Sequence, residues 1–217
     1  MKNVAKRIWF RIARWGCGVF CAVFFRLRVK GVENVPEKGA FVLVSNHQCF
    51  FDPLFCWVPL KKHLYFLARD TLFAHWFARL WISSLDTIAV KRGEADLRAI
   101  RLGLTKLREG DVVCVFPEGT RTHDGRIRPF KSGFSLLCKR GGAAVVPVVI
   151  DGAFEAWPRH KKYFTRGAEI TACYGKSIPA EHVKDMGNDE LAETLTNTLR
   201  RMQHECRERS GKEPYEY

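Results

Sequence analysis

Acidic residues are missing from the start of this 217-residue chain: none precedes Glu33. Over residues 1–30 the cations Lys2, Lys6, Arg7, Arg11, Arg14, Arg26, Arg28 and Lys30 meet no carboxylate of that stretch. A long apolar run is missing too. Trp15–Phe25 carries no charge, yet it is shorter than the roughly 20 residues a bilayer-crossing helix needs. No A-x-A-like site follows it, which argues against a cleaved signal peptide. The eight cysteines, at 17, 21, 49, 56, 114, 138, 173 and 206, include no CxxC pair, excluding zinc-ribbon and thioredoxin-like patterns. Internal repeats, low-complexity tracts and Gly/Ser linkers are absent as well, so the length reads as one domain able to bury its own core.

What is present begins with composition. A 47% hydrophobic and 27% charged chain is not a disordered one, and its formal net charge of +13 attracts anions. Nucleic acid, anionic lipid and a phosphorylated substrate are all anionic partners, but no nucleic-acid motif occurs. The N-terminal cations are interleaved with Trp9, Phe10 and Trp15, a mixture suited to a membrane surface. Val4, Ile8, Ile12 and Trp15 fall at helical spacing with Arg7, Arg11 and Arg14 beside them, as in a helix lying in one leaflet. Residues 1–30 therefore read as a retained, monotopic membrane anchor and 31–217 as the functional domain. The cysteines lie mostly in apolar runs and read as reduced, small hydrophobes, placing the domain on the cytoplasmic face.

Beyond the anchor, strand-like runs alternate with helical stripes. Phe41–Ser45, Leu64–Leu67, Thr87–Val90, Val112–Phe116, Val145–Ile150 and Glu169–Tyr174 read as strands. Leu97, Ile100, Leu104 and Leu107 form one helical face that Gly110 stops, and Leu191, Leu195, Leu199 and Met202 form another. The expectation is an α/β fold, a single-domain mixed sheet covered by helices, with an interfacial helix in front. The tail after Arg209 is expected to fray.

Two loops at strand ends carry chemistry. In Asn46-His47-Gln48-Cys49-Phe50-Phe51-Asp52-Pro53, Asp52 suits a helix N-cap and Pro53 the first turn. His47 in the loop before it can donate Nδ1–H to that carboxylate, leaving Nε2 as a base. The plain alternative is a capped helix with an idle loop histidine. In Phe116-Pro117-Glu118-Gly119-Thr120-Arg121, glycine lets backbone amides approach a ligand, and Thr120 and Arg121 offer donors to phosphate or carbonyl oxygens. A simple tight turn is the plain reading here.

Taken together, NHxxxxD followed roughly seventy residues later by FPEGTR resembles the glycerolipid acyltransferase family, whose best-known members acylate lysophosphatidic acid. Ile88-Ala89-Val90-Lys91-Arg92, Lys131-Ser132-Gly133 and Val146-Pro147-Val148-Val149 resemble further family blocks, in order. The resemblance implies His47 as general base, Asp52 as its orienting partner and Arg92 as the grip on the acceptor's phosphate. It implies Arg121 and Lys131 as further phosphate candidates, with Glu118, Gly119 and Thr120 lining the acceptor pocket. It also implies a donor thioester, acyl-CoA or acyl-carrier protein, membrane lipid as partner, and neither metal nor cofactor. The expected product from 1-acyl-glycerol-3-phosphate is phosphatidic acid. Another acceptor (glycerol phosphate or an aminolipid) and a non-catalytic membrane-binding protein of the same fold remain open. Two departures stand out. Cys49 sits where many relatives carry Ser, and Ala89-Val90-Lys91 is looser than the usual block. A Cys49 acyl-enzyme is conceivable beside His47. The other histidines, His63, His75, His123, His160, His182 and His204, show no metal-ligand spacing and read as surface residues. The run Arg159-His160-Lys161-Lys162 could meet headgroups or the donor's phosphates.

Overall fold

Helix α1 runs unbroken from Lys2 to Phe24 and passes directly into strand β1 (Phe25–Lys30). These coordinates come from a computed structural model that describes residues 2–69, 87–90 and 97–217, with side chains for 8–67 and 97–217. Helical spacing divides α1 into two faces. Phe10, Ala13, Cys17, Phe20, Cys21 and Phe24 pack on the domain, while Ile8, Trp9, Ile12, Trp15, Val19 and Val23 are exposed. No helix among the described residues is long and apolar enough to cross a membrane.

The remaining strands are β2 (Phe41–Ser45), β3 (Leu64–Arg69), β4 (Thr87–Val90), β5 (Val112–Val115), β6 (Ala144–Asp151) and β7 (Ala168–Tyr174). They form one sheet in the order β1-β7-β6-β2-β5-β3-β4. The pairs β6–β2, β2–β5, β5–β3 and β3–β4 are parallel. The β6–β7 pair is antiparallel, and β1 runs parallel to β7. The mixed α/β sheet is thus as expected. The division placed at residue 30 falls at the end of β1, which is itself a sheet strand.

Helices α2 (Asp52–Trp57), α3 (Leu97–Arg108), α4 (Ser135–Gly141), α5 (Ala153–Ala156), α6 (Ala180–Asp185) and α7 (Asn188–Glu208) cover the sheet. Successive strand residues point to opposite faces, and in β2 both faces are core. Phe41 and Leu43 join the layer of α1 and α2, whereas Val42 and Val44 join that of α3, α4 and α7. Such two-sided burial is why the central strands read as continuous apolar runs. Each fully buried Leu or Phe contributes about 1.5–3 kcal/mol.

Two expectations about elements change. Leu97 is exposed; the buried face of α3 is Ala99, Gly103, Leu104 and Leu107. Gly103 belongs there because a Cβ would stand 2.9 Å from Leu137 Cδ1 of α4, so small residues let the two helices approach. The tail after α7 is not frayed. Tyr215 lies against Gly125, and the Tyr217 hydroxyl accepts from the Ile127 amide at 3.2 Å.

Candidate active site

Parallel strands end on the same edge of a sheet, so β2, β5 and β6 deliver the loops that follow them to one place. The loop after β2 carries His47. Its Nδ1 lies 2.7 Å from Asp52 Oδ2. The Asp52 side chain is wholly buried, while the imidazole keeps 22% of its surface open. The same carboxylate oxygen accepts the backbone amides of Gln48 at 2.5 Å and Cys49 at 2.8 Å. Asp52 is therefore the first residue of α2, not its N-cap; Phe51 holds that position. Its carboxylate points back into the loop because a buried anion takes the nearest free amides.

Flanking motif residues brace this loop. Asn46 Nδ2 donates to the Ile150 carbonyl at 2.9 Å, and its Oδ1 accepts the Ile150 amide at 2.8 Å. Gln48 Oε1 accepts the Ala153 and Phe154 amides at the start of α5, and Gln48 Nε2 donates to the Gly125 carbonyl. Neither role was assigned from sequence. The available signal was two amide side chains, at 46 and 48, on either side of a histidine just after a buried strand.

The loop after β5 approaches from the other side. The His47 ring stacks on Phe116, with centroids 4.4 Å apart. Glu118, expected to line a pocket, is buried and faces inward. Its Oε1 accepts the His47 amide at 2.8 Å and its Oε2 the Arg128 amide at 3.2 Å. Both oxygens are thus occupied by backbone. Burial pushes its carboxyl up to about 7, against the pull of those two amides.

Gly119 has φ +68 and the Lys131 side chain lies over it: a Cβ there would be 3.6 Å from Lys131 Nζ. Thr120 Oγ1 accepts from Arg159 Nη1 at 3.3 Å. Burial, and next the Arg159 charge, pull the Arg121 guanidinium down from its usual value. Arg121, Arg159 and Lys131 thus share one rim, and among the described residues neither arginine has an ion-pair partner. Arg92 and His75 lie outside the described residues.

Cys49 is buried, with the Phe51 amide donating to its Sγ at 3.2 Å. Burial first, then the Asp52 charge, push its thiol well above the ordinary range. It is the wrong environment for a thiolate nucleophile. His63 is half-buried rather than on the open surface: it stacks on Phe10 with centroids 4.4 Å apart and lies tilted against Tyr65 at 4.7 Å. Among the described residues, no three His, Cys, Asp or Glu side chains gather as they would around a metal ion.

A family model described as Acyltransferase matches residues 26–151, from β1 through β6, and so takes in both motif loops. The chain belongs to the acyltransferase family. Among relatives of known name, the chloroplastic 1-acyl-sn-glycerol-3-phosphate acyltransferase of Arabidopsis thaliana is 29% identical over 190 residues, 85% of this chain and 53% of its own length. The 1-acyl-sn-glycerol-3-phosphate acyltransferase alpha of Ovis aries is 32% identical over 169 residues, covering 76% and 58% respectively. The Pseudomonas aeruginosa 1-acyl-sn-glycerol-3-phosphate acyltransferase is 32% identical over 158 residues, covering 70% and 58%. This acyltransferase-family chain thus spans about half the length of the curated relatives it matches. In fold it is similar to the crystal structure of the 1-acyl-sn-glycerophosphate acyltransferase from Thermotoga maritima. The TM-score is 0.76 at 24% identity, over 93% of this chain and 82% of that one.

Proposed function

We propose that this chain transfers a fatty acyl group from a thioester donor, acyl-CoA or acyl-carrier protein, to the free hydroxyl of a lysophospholipid. The acceptor we assign is 1-acyl-glycerol-3-phosphate, and the product phosphatidic acid. The observation that carries this reading is the His47–Asp52 pair: a buried carboxylate 2.7 Å from Nδ1 of a partly open imidazole. With Nδ1–H donated to Asp52, the lone pair sits on Nε2. Nε2 takes the acceptor's hydroxyl proton as that oxygen bonds to the thioester carbonyl carbon. The tetrahedral oxyanion then collapses, the C–S bond breaks, and the leaving sulfur recovers the proton from the imidazolium. Asp52 stabilises the transient imidazolium and holds the tautomer.

Arg121 and Lys131, with Arg92 by resemblance, hold the acceptor's phosphate, and Thr120 and the Gly119 backbone line its pocket. A guanidinium can engage two phosphate oxygens at once. Glu118 positions the His47 loop from behind and touches no substrate. The reaction as written requires no metal or prosthetic group. The exposed Ile8-Trp9-Ile12-Trp15 face of α1 rests on the cytoplasmic leaflet, where lipid acceptor and water-borne donor meet.

The test is an assay of the protein on lipid vesicles, with a panel of lysolipids and glycerol 3-phosphate, against acyl-CoA and acyl-carrier protein. Phosphatidic acid should form from 1-acyl-glycerol-3-phosphate. His47→Ala should lower kcat by about 10²–10⁴-fold while the variant still folds and unfolds cooperatively. Near-wild-type turnover by that variant would sink the mechanism.

A further inference from the structure

The segment after α7 is tied to the histidine loop through a chain of named contacts. Arg207 Nη1 donates to Asp151 Oδ1 at 3.1 Å and to Glu155 Oε1 at 3.0 Å. Its Nε donates to the Glu213 carbonyl at 2.7 Å, and its guanidinium lies 4.0 Å from the Tyr215 ring centroid. The tail is thereby folded back over α7, and two tyrosines reach the loop of residues 122–128. Tyr215 Oη packs so closely on Gly125 that a Cβ there would stand only 2.1 Å from it. The Tyr217 hydroxyl donates to Gln203 Oε1 and accepts the Ile127 amide. Arg200 sits over the Tyr217 ring and donates to the Ile127 carbonyl.

The loop these tyrosines hold is the one that braces His47. The Thr122 amide donates to the His47 carbonyl at 2.8 Å. The Arg128 amide holds Glu118, whose other oxygen holds the His47 amide. The Gly125 carbonyl accepts from both Gln203 Nε2 and Gln48 Nε2, at 3.1 and 3.0 Å. One carbonyl thus joins the tail's own partner, Gln203, to the residue next to His47.

We infer that residues 213–217 are a positioning strap, with Tyr217 as its clasp, acting through the 122–128 loop to hold His47 in register with Asp52. Tyr217 touches no reacting atom. Its effect is geometric: the loop it fixes partners the His47 carbonyl through the Thr122 amide and, through the Arg128 amide, braces the Glu118 carboxylate that accepts the His47 amide. An aim error of about 1 Å costs on the order of 10²-fold in rate. The inference rests on the proposed acyl transfer for its kinetic consequence, and on the His47–Asp52 geometry alone for its structural one.

Tyr217→Phe in the full chain separates the two. The variant keeps the ring under Arg200 and loses only the hydroxyl's two hydrogen bonds. Expected is a fall in kcat on the order of tenfold, with KM for donor and acceptor unchanged within about twofold. The downfield Nδ1–H proton resonance of His47 should shift or broaden in the same variant while sheet amide resonances stay in place. Val183→Ala, in α6 and away from the loop, serves as the control; it removes buried volume. An unmoved His47 resonance in Tyr217→Phe overturns the strap. So does an equal change in Val183→Ala at matched loss of Tm, which would mean the tail acts through global stability alone. If wild type transfers no acyl group but the resonance still responds, the strap stands and the proposed reaction falls.

Discussion

Glu118 carries a consequence for pH at the scale of a single side chain. Its carboxyl is held up to about 7 by burial, from 4.5. An acid with a raised folded-state value binds more protons folded than unfolded across that window. Stability therefore falls as pH rises from about 4.5 to 7, by at most about 1.4 kcal/mol per pH unit. Above the window the loss is complete, and below it there is none. Glu118→Gln removes the titration but turns an NH2 group toward one of the two amides that the carboxylate receives. Urea unfolding at pH 5, 6 and 7 should show a falling stability for wild type and a flatter, lower profile for the variant. Parallel profiles would mean that another group titrates there. The inward turn of Glu118 was not legible in the sequence, because it depends on where the His47 and Arg128 amides lie in space. Cys49 is similar: its closeness to His47 suggested a nucleophile, and burial against Asp52 removes that option.

Helix α1 is the element whose two faces differ most. Its inner face is part of the core, with Cys17 and Cys21 buried and Phe20 and Phe24 packed with Phe51 and Phe164. Its outer face exposes Trp9 and Trp15, the latter at 73%. Reading the N-terminal segment as a membrane anchor suggests that deleting residues 1–25 leaves a sound domain. The packing predicts otherwise: deletion of residues 1–24 should lower Tm or prevent folding, since it strips a wall from the core. Trp9→Ser with Trp15→Ser should keep the wild-type Tm and weaken association with anionic vesicles on the order of tenfold, about 1.4 kcal/mol. Vesicle flotation and a thermal melt, run side by side, check both halves. Unchanged flotation of the double variant would move the lipid contact away from this face.

For the whole molecule, the formal net charge of +13 adds a long-range attraction to anionic surfaces that apolar contacts do not supply. Salt shortens the reach of that attraction from about 10 Å at 0.1 M to about 3 Å at 1 M. Association with anionic vesicles should therefore drop steeply over that range, and binding to zwitterionic vesicles should change little. A salt-independent association would assign the contact to the Trp face alone. Charge and face belong to different levels of organisation, and the measurement separates them.

Most of the elements were readable from local pattern. Strands β2 and β4 fall at the expected residues, and α7 buries the stripe from Leu191 to Met202, because strand and helix periodicities are properties of consecutive residues. Motif order alone placed His47 five residues before Asp52, at one loop–helix junction, and that closeness requires no long-range fold. The partners that come from distant sequence were decided only in three dimensions. The parallel run of β2, β5 and β6 brings Glu118 and Ile150 to the His47 loop, although the bonds between the Asn46 side-chain amide and the Ile150 backbone span 104 positions. Nor could composition tell that the polar tail after Arg209 would dock. Its order comes from Arg207, Gln203 and Gly125 presenting a charge, an amide and a bare backbone at the right places, and such complementarity exists only once the sheet and α7 have met.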